Sequence, residues 1–386
     1  MFFFNMKKSI HLLSLVFSFF LLGTSLSFGQ KTIIKTIQHG GLTRDYRVYI
    51  PKIYDGKKAV PLLFNLHGFS SNEVQQEFYG DFRKIADTAN FIIVHPRGTA
   101  NATGTLFWNV GFFPSAVDDL GFINTLIDTI SATYNINPKR VYSTGMSNGG
   151  FMSYSLACSS NRFAAIASVT GSITLPYLKQ CKPSKPIPVL EIHGTGDAVV
   201  AYNGTALFAP IDTVVNFWVK QNGCNPTPVV TNVPNTDTLD GATATRFVYS
   251  SGINGTTVEH YKIANGAHTW PGAIINIGVT CMDFSASKEI WRFLNQYSLI
   301  TATAETQVSL DFSIAPNPTD GLLNLSFEPV SSPTLLEITD IQGKIVLKKN
   351  LDDNTTQLDI SSFENGFYIA KIQNLNGQGI QKFVKM

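Results

Sequence analysis

The run Arg140-Val141-Tyr142-Ser143-Thr144-Gly145-Met146-Ser147-Asn148-Gly149-Gly150-Phe151-Met152-Ser153-Tyr154 decides the fold. It opens as a strand and closes as a helix, and between them a Gly-x-Ser-x-Gly turn carries Ser147 at its tip. Glycines flanking the tip remove side chains that would clash in so sharp a turn, which leaves the serine hydroxyl exposed above a sheet as a nucleophile elbow. A plain Gly-rich turn with an exposed serine has the same pattern, so the flanking elements and partner residues elsewhere must separate the two.

Outward from this turn, short β-rich runs alternate with amphipathic runs from Lys31 to about Ser298, which predicts an α/β fold. Thr43 to Ile50 reads as an edge strand stopped by Pro51. Buried strands are expected at Pro61–Leu66, Phe91–Val94, Arg140–Thr144, Ala164–Val169, Ile187–Ile192 and Val258–Ile263. Helical character covers Asn72 to Ala89, Val117 to Tyr134 and Ser285 to Tyr297, with Asp118 and Asp119 as dipole-favoured carboxylates in a first turn. Apolar periodicity is lost in Thr301-Ala302-Thr303-Ala304-Glu305-Thr306. Beyond it, short strands with Asn/Asp/Gly turns predict a small all-β sandwich. The expected organisation is a signal peptide at 1–29, an α/β-hydrolase domain at 30–299, a linker at 300–310 and a β-sandwich at 311–386.

A serine hydroxyl needs a base to become a nucleophile near neutral pH, and the base needs an orienting carboxylate. His67, His95 and His193 stand at strand ends, where a structural hydrogen bond is the default, and His260 lies inside a strand. His268 lies in a loop after a late strand and before the last helix, where an α/β-hydrolase carries its base. Asp197, in His193-Gly194-Thr195-Gly196-Asp197, follows a buried strand, whereas Asp212 begins a helix and Asp237 and Asp240 lie in a polar segment. The order Ser147, Asp197, His268 is that of the α/β-hydrolase fold. Two backbone N–H groups should hold the oxyanion: that of Asn148, and that of Phe69 in the loop after Leu66-His67-Gly68.

These residues resemble the secreted esterases that include poly(3-hydroxybutyrate) depolymerases and feruloyl or acetylxylan esterases. The resemblance runs from about Arg44 to Phe293. It rests on Arg47-Val48-Tyr49-Ile50-Pro51, Leu66-His67-Gly68, Val117-Asp118-Asp119-Leu120-Gly121-Phe122, the Ser147 turn, Ile192-His193-Gly194-Thr195-Gly196-Asp197 and His268-Thr269-Trp270-Pro271-Gly272. It implies ester hydrolysis by a Ser147/Asp197/His268 triad without cofactor or metal, supports a Cys158–Cys181 disulfide, and places Trp108 and Trp270 in the acyl or aryl pocket. Both indoles could instead be plain core. A catalytically silent carbohydrate- or polymer-binding protein, or an exopeptidase, would use the same fold. The tail motifs Ala315-Pro316-Asn317-Pro318, Ile338-Thr339-Asp340-Ile341-Gln342-Gly343-Lys344 and Gly366-Phe367-Tyr368-Ile369-Ala370 resemble the C-terminal sorting domain of type IX secretion, which implies the secretion machinery as a partner and a released or cell-surface protein.

The first residues point the same way. Lys7-Lys8 precede the apolar run Ile10 to Leu22 and then small and polar residues lead to a cleavage site near Gly29-Gln30, with Met6 as an alternative start. Four cysteines fit an oxidising compartment. Of three possible pairings, Cys158–Cys181 with Cys224–Cys281 closes loops between neighbouring elements. No close Cys/His pair has zinc-ligand spacing. A net charge of +2, from 29 basic and 27 acidic residues, gives no electrostatic case for nucleic acid. Oligomeric state is not legible here.

Overall fold

The computed structural model describes residues 31–299, 308–327, 334–351, 353, 355–374 and 377–386; the expected signal peptide lies outside these residues. The chain divides into two compact units, with the boundary between Leu299 and Ile300.

In chain order the first unit begins β1 (Lys31–His39), β2 (Leu42–Ile50), β3 (Val60–Leu66), α1 (Glu73–Tyr79), α2 (Arg83–Ala89) and β4 (Ile92–Pro96). A two-stranded ribbon, β5 (Thr99–Ala100) and β6 (Leu106–Phe107), leads to α3 (Asp119–Thr133). Next come β7 (Ile136–Met146), α4 (Asn148–Ser159), β8 (Ala165–Val169), α5 (Leu175–Gln180), β9 (Val189–Gly194) and α6 (Ile211–Gln221). The unit closes with β10 (Val229–Asn232), β11 (Thr243–Tyr249), β12 (Val258–Ala264) and α7 (Ala286–Leu294).

Ten strands form one sheet in the order β1-β2-β4-β3-β7-β8-β9-β12-β11-β10. The six central strands, β4 to β12, run parallel, and antiparallel pairs border them on both sides. Parallel strands need helical crossovers on both faces, which is why β3 is buried along its whole length and reads as a continuous apolar run. Its residues alternate between two cores: Leu62, Phe64 and Leu66 pack with α3, α4 and α6, while Leu63 packs with α2 and α7. The strand order reverses between β3 and β7. In open α/β sheets the crevice at the carboxyl ends of such strands is where sites form.

The α/β-hydrolase architecture agrees with the sequence pattern, with local corrections. Strand β2 is internal, because Lys31–His39 forms a hairpin with it and takes the edge. The helical stretch from Asn72 to Ala89 is two helices: Asn72 caps the first through the Val74 and Gln75 amides, Gly80 ends it, and Asp81 accepts from the Arg83 amide at the start of the second. Strands β10 and β11, in a stretch that reads as polar, form the other border; all of β10 is exposed, so it carries no inward apolar pattern.

Cys158 and Cys181 form a disulfide that ties the end of α4 to the end of α5. The Cys224–Cys281 pairing does not form. Cys224 is buried in the core on the α6 side of the sheet, 3.7 Å from the Thr256 carbonyl, and Cys281 in the core on the α7 side, 3.6 Å from Asp283. The sheet stands between them.

The second unit comprises β13 (Val308–Ser309), β14 (Phe312–Ala315), β15 (Leu322–Phe327), β16 (Thr334–Asp340), β17 (Ile345–Leu351), β18 (Thr355–Asp359), β19 (Gly366–Asn374) and β20 (Gly377–Lys385). A five-stranded sheet, β13-β20-β19-β16-β17, and a three-stranded one, β14-β15-β18, share one core that includes Leu323, Leu325, Leu336, Ile338, Ile372 and Phe383. Residues 300–307 of the expected linker lie outside the described residues, and Val308–Ser309 already pair with β20.

Unfolding without reductant should therefore release two titratable thiols per chain, measured by a colorimetric thiol assay; four or none would contradict the pairing. Replacing Cys158 and Cys181 together by alanine opens a 23-residue separation and should cost about 3 kcal/mol in denaturant unfolding.

Candidate active site

Ser147 sits between β7 and α4 with φ 54° and ψ −121°, a conformation a residue with a Cβ adopts at a cost of about 1–3 kcal/mol. The surroundings hold it there. Its amide donates to the Val169 carbonyl at 2.8 Å, and its carbonyl accepts from the Phe151 amide at 3.0 Å as the first bond of α4. Gly149 lets α4 start directly against the end of β3, since a Cβ there would lie 2.1 Å from the Leu66 carbonyl oxygen. Gly68, in the loop after β3, lies beside the serine: a Cβ there would sit 3.4 Å from Ser147 Cβ and 3.9 Å from its Oγ, ordinary contact distances.

The loops after β9 and β12 carry the other two groups. They are joined backbone to backbone, by Thr195 donating to Ile263 at 2.8 Å and Gly196 to Gly266 at 3.0 Å. Across this junction His268 Nδ1 lies 2.7 Å from Asp197 Oδ2. The Asp197 carboxylate is buried, and its Oδ1 accepts from the Val199 and Val200 amides at 2.8 Å each. Burial alone would raise its pKa, but hydrogen bonds from His193 and His268 hold it well below the usual carboxylate range. An ionised Asp197 fixes the proton of His268 on Nδ1 and leaves Nε2 as the basic nitrogen.

Ser147 and His268 line one cavity of about 540 Å³ together with Gly68, Phe69, Val74, Phe78, Tyr79, Met146, Ile275 and Ile277. Among the described residues, neither the Phe69 nor the Asn148 amide donates a hydrogen bond to another protein group. Ser147, His268 and Phe69 thus share the cavity, with Asp197 bonded to His268 and Asn148 directly following Ser147, in the loops and turn that follow β3, β7, β9 and β12.

The two tryptophans do not line this cavity. Trp108 is fully buried and its Nε1 donates to the His67 carbonyl at 2.9 Å. Trp270 is buried beside Phe82; its Nε1 donates to Ser287 Oγ at 3.2 Å and its amide to Tyr79 Oη at 3.1 Å. An indole this large gains more from packing than from a half-exposed pocket wall, and Trp270 serves to anchor the His268 loop. The lining instead comes from α1 and the loop around Ile275 and Ile277.

His193 and Glu191 escape a reading by strand-end position alone. His193, fully buried, lies 2.8 Å from Glu191 Oε1 and 3.4 Å from Asp197 Oδ2, and Glu191 accepts from Tyr154 Oη at 2.7 Å. Burial opposes a charge on His193, but hydrogen bonds to Asp197 and Glu191 outweigh it and hold its pKa at about 9. A buried carboxylate in the run Val189-Leu190-Glu191-Ile192-His193 is the signal that could have found this pair, since residues two apart on a strand share a face. His67 and His95 are different: burial pushes both down to about 4, so they are neutral. Asp119, also a structural residue, is paired with Arg44 at 2.6 Å inside the protein.

The first unit has the α/β-hydrolase fold, with a serine, a histidine and a carboxylate brought together at its site. The chain is similar to a bifunctional acetylxylan esterase/xylanase of Neocallimastix patriciarum, at 27% identity over 270 residues, covering 70% of this chain and 36% of that protein. It is also similar to feruloyl esterase B of Piromyces equi, at 32% identity over 196 residues, covering 47% of this chain and 36% of that one. The chain thus spans about a third of the length of these two relatives. An acetyl xylan esterase from Aspergillus awamori shares the fold, with a TM-score of 0.50 at 11% identity over 68% of this chain and 99% of that one. Residues 313–386 match the secretion system C-terminal sorting domain. Part of the chain is thus similar to feruloyl and acetylxylan esterases, and its C-terminal residues match a secretion sorting domain, which marks it for export.

The raised pKa of His193 gives a stability signature. Because the His193 pKa is raised from 6.5 to about 9, its contribution is fully present below about pH 6.5 and lost as pH rises through about 9. Asp197 acts in the opposite sense, contributing above the unfolded carboxylate pKa and losing that contribution in acid. The melting-temperature gap between wild type and His193→Gln should be widest near pH 6 and narrow towards pH 10. A gap independent of pH would mean that His193 is neutral.

Proposed function

We propose that the protein is an exported serine carboxyl-ester hydrolase acting on acyl groups esterified to plant cell-wall polysaccharide. The observation that carries this proposal is the Asp197–His268 pair at the rim of the cavity that also holds Ser147 on a strained turn. Ser147 Oγ attacks the ester carbonyl while His268 Nε2 takes its proton. The Phe69 and Asn148 amides stabilise the resulting oxyanion, and His268 returns the proton to the departing alcohol. Water, activated by the same imidazole, then releases the acid. Asp197 stays ionised and orients His268, and His193 lies behind Asp197 as a buried positive charge.

The acyl side of the substrate follows from the cavity wall. Phe69, Val74, Phe78, Tyr79, Met146, Ile275 and Ile277 make it apolar and partly aromatic, and its volume of about 540 Å³ far exceeds what an acetyl group fills. A hydroxycinnamoyl group has a flat apolar ring with a polar tip and suits such a wall. The feruloyl esterase relative supports this choice, and the acetylxylan esterase relatives support a polysaccharide on the alcohol side. The sorting tail engages the secretion machinery.

Assays on methyl ferulate, acetylated xylan and poly(3-hydroxybutyrate) separate these assignments. Wild type should turn over methyl ferulate with the highest kcat/KM, and Ser147→Ala should lower kcat by at least about 10⁴-fold. Preference for acetylated xylan or the polyester would overturn the acyl assignment; activity retained in Ser147→Ala would overturn the hydrolase assignment itself.

A further inference from the structure

The two amides assigned to the oxyanion belong to different elements, one to the loop after β3 and one to the start of α4. A donor pair is useful only if the spacing between its members is held before the reaction begins. The residue that touches both supports is Trp108, just beyond β6.

Its main chain holds the α4 side. The Trp108 amide donates to Asn148 Oδ1 at 2.6 Å, and Asn148 Nδ2 donates back to the Trp108 carbonyl at 3.2 Å. These two bonds close a ring between the residue that follows Ser147 and the Trp108 backbone. Its side chain holds the other side: the indole Nε1 donates to the His67 carbonyl at 2.9 Å, and the ring packs on the His67 imidazole with centroids 5.0 Å apart.

His67 passes this constraint to the donor peptide. Its Nδ1 lies 2.8 Å from the Gly68 carbonyl, which can only accept, so the proton is on Nδ1 and Nε2 accepts from the Gly98 amide at 2.9 Å. That is the neutral tautomer, in agreement with burial. In a planar trans peptide the carbonyl and the next N–H point in opposite directions, so holding the Gly68 carbonyl fixes where the Phe69 N–H points. Two further bonds steady the frame: Ser70 donates to the Leu106 carbonyl at 2.9 Å, and the Asn109 amide to Asp119, itself paired with Arg44.

We propose that Trp108 is a positioning residue of the oxyanion hole, setting the spacing between the Phe69 and Asn148 amides through its indole N–H on one side and its backbone on the other. This rests on the assignment of Ser147 as nucleophile with those two amides as donors. Trp108 touches no substrate, and its effect belongs to the tetrahedral stage of the reaction.

Trp108→Phe keeps an aromatic ring and removes the Nε1 proton. With active enzyme counted by fluorophosphonate titration, kcat on methyl ferulate should fall about 10- to 100-fold with KM changed less than about twofold. Affinity for phenylboronic acid, which forms a tetrahedral adduct with the serine, should fall by a similar factor. A purely structural role would lower the melting temperature and the titrated fraction but leave kcat per active site and boronate affinity unchanged, and that result would overturn the inference. Asn148→Asp, which keeps the acceptor and loses the donor to the Trp108 carbonyl, should lower kcat and boronate affinity together; it decides the matter if the Trp108 variant does not fold. Ser147→Ala keeps the two assignments apart. If it remains active, the nucleophile assignment fails whatever Trp108 does. If it is inactive while the other variants match wild type, only the role of Trp108 fails.

Discussion

The close backbone contact between the end of β3 and the turn that follows β7 is the constraint on which the site depends. Gly149 lies against the Leu66 carbonyl, and this leaves no room for any side chain at that position. It draws two parallel neighbours together where the strand order reverses, so the loop of one and the helix of the other open into the same crevice. The positive φ of Ser147 is a consequence, imposed by hydrogen bonds to Val169 and Phe151 on either side of it. The strain stored there is small beside the packing that surrounds it. Nearly the whole of α4 is buried, and Phe151, Met152, Tyr154, Leu156, Ala157 and Cys158 contribute to the larger core.

Electrostatics forms a second layer behind this geometry. Glu191, His193, Asp197 and His268 alternate acid and base from the middle of the sheet to the cavity, each within 3.4 Å of the next. Alternation matters because a buried carboxylate without a partner would take up a proton, and a neutral Asp197 would lose the charge that stabilises a protonated imidazole. Two backbone amides also hold Asp197, so its charge is stabilised on one oxygen while the other meets the histidines. Tyr154, on α4, donates to Glu191 and so links the helix behind Ser147 to the far end of this chain of charges.

Residues whose meaning is local were legible in the sequence. The strand, turn and helix around Ser147 could be read because they are contiguous, and the Asp197–His268 contact was expected because each residue follows a buried strand in the chain order of the fold. Trp108, Trp270 and the fate of Cys224 and Cys281 were not, for one reason: what each does depends on which side of a sheet, or which distant loop, it meets. Cys224 and Cys281 are 57 residues apart in sequence and lie in cores on opposite faces. Similarly, β2 has the texture of an edge strand, but the preceding residues fold back over it as a hairpin.

By itself, then, the sequence determined the alternation of strands and helices, the chemistry available at each loop, and the separate β-rich texture of the tail. These depend on side-chain period and turn residues, which act over a few positions. Only the tertiary structure decided that Trp108 bridges His67 and Asn148, that His193 lies between two carboxylates, and that α1 and the Ile275 loop form the cavity wall. Those relations join residues up to two hundred positions apart, and they follow from sheet order and packing, which no local pattern encodes.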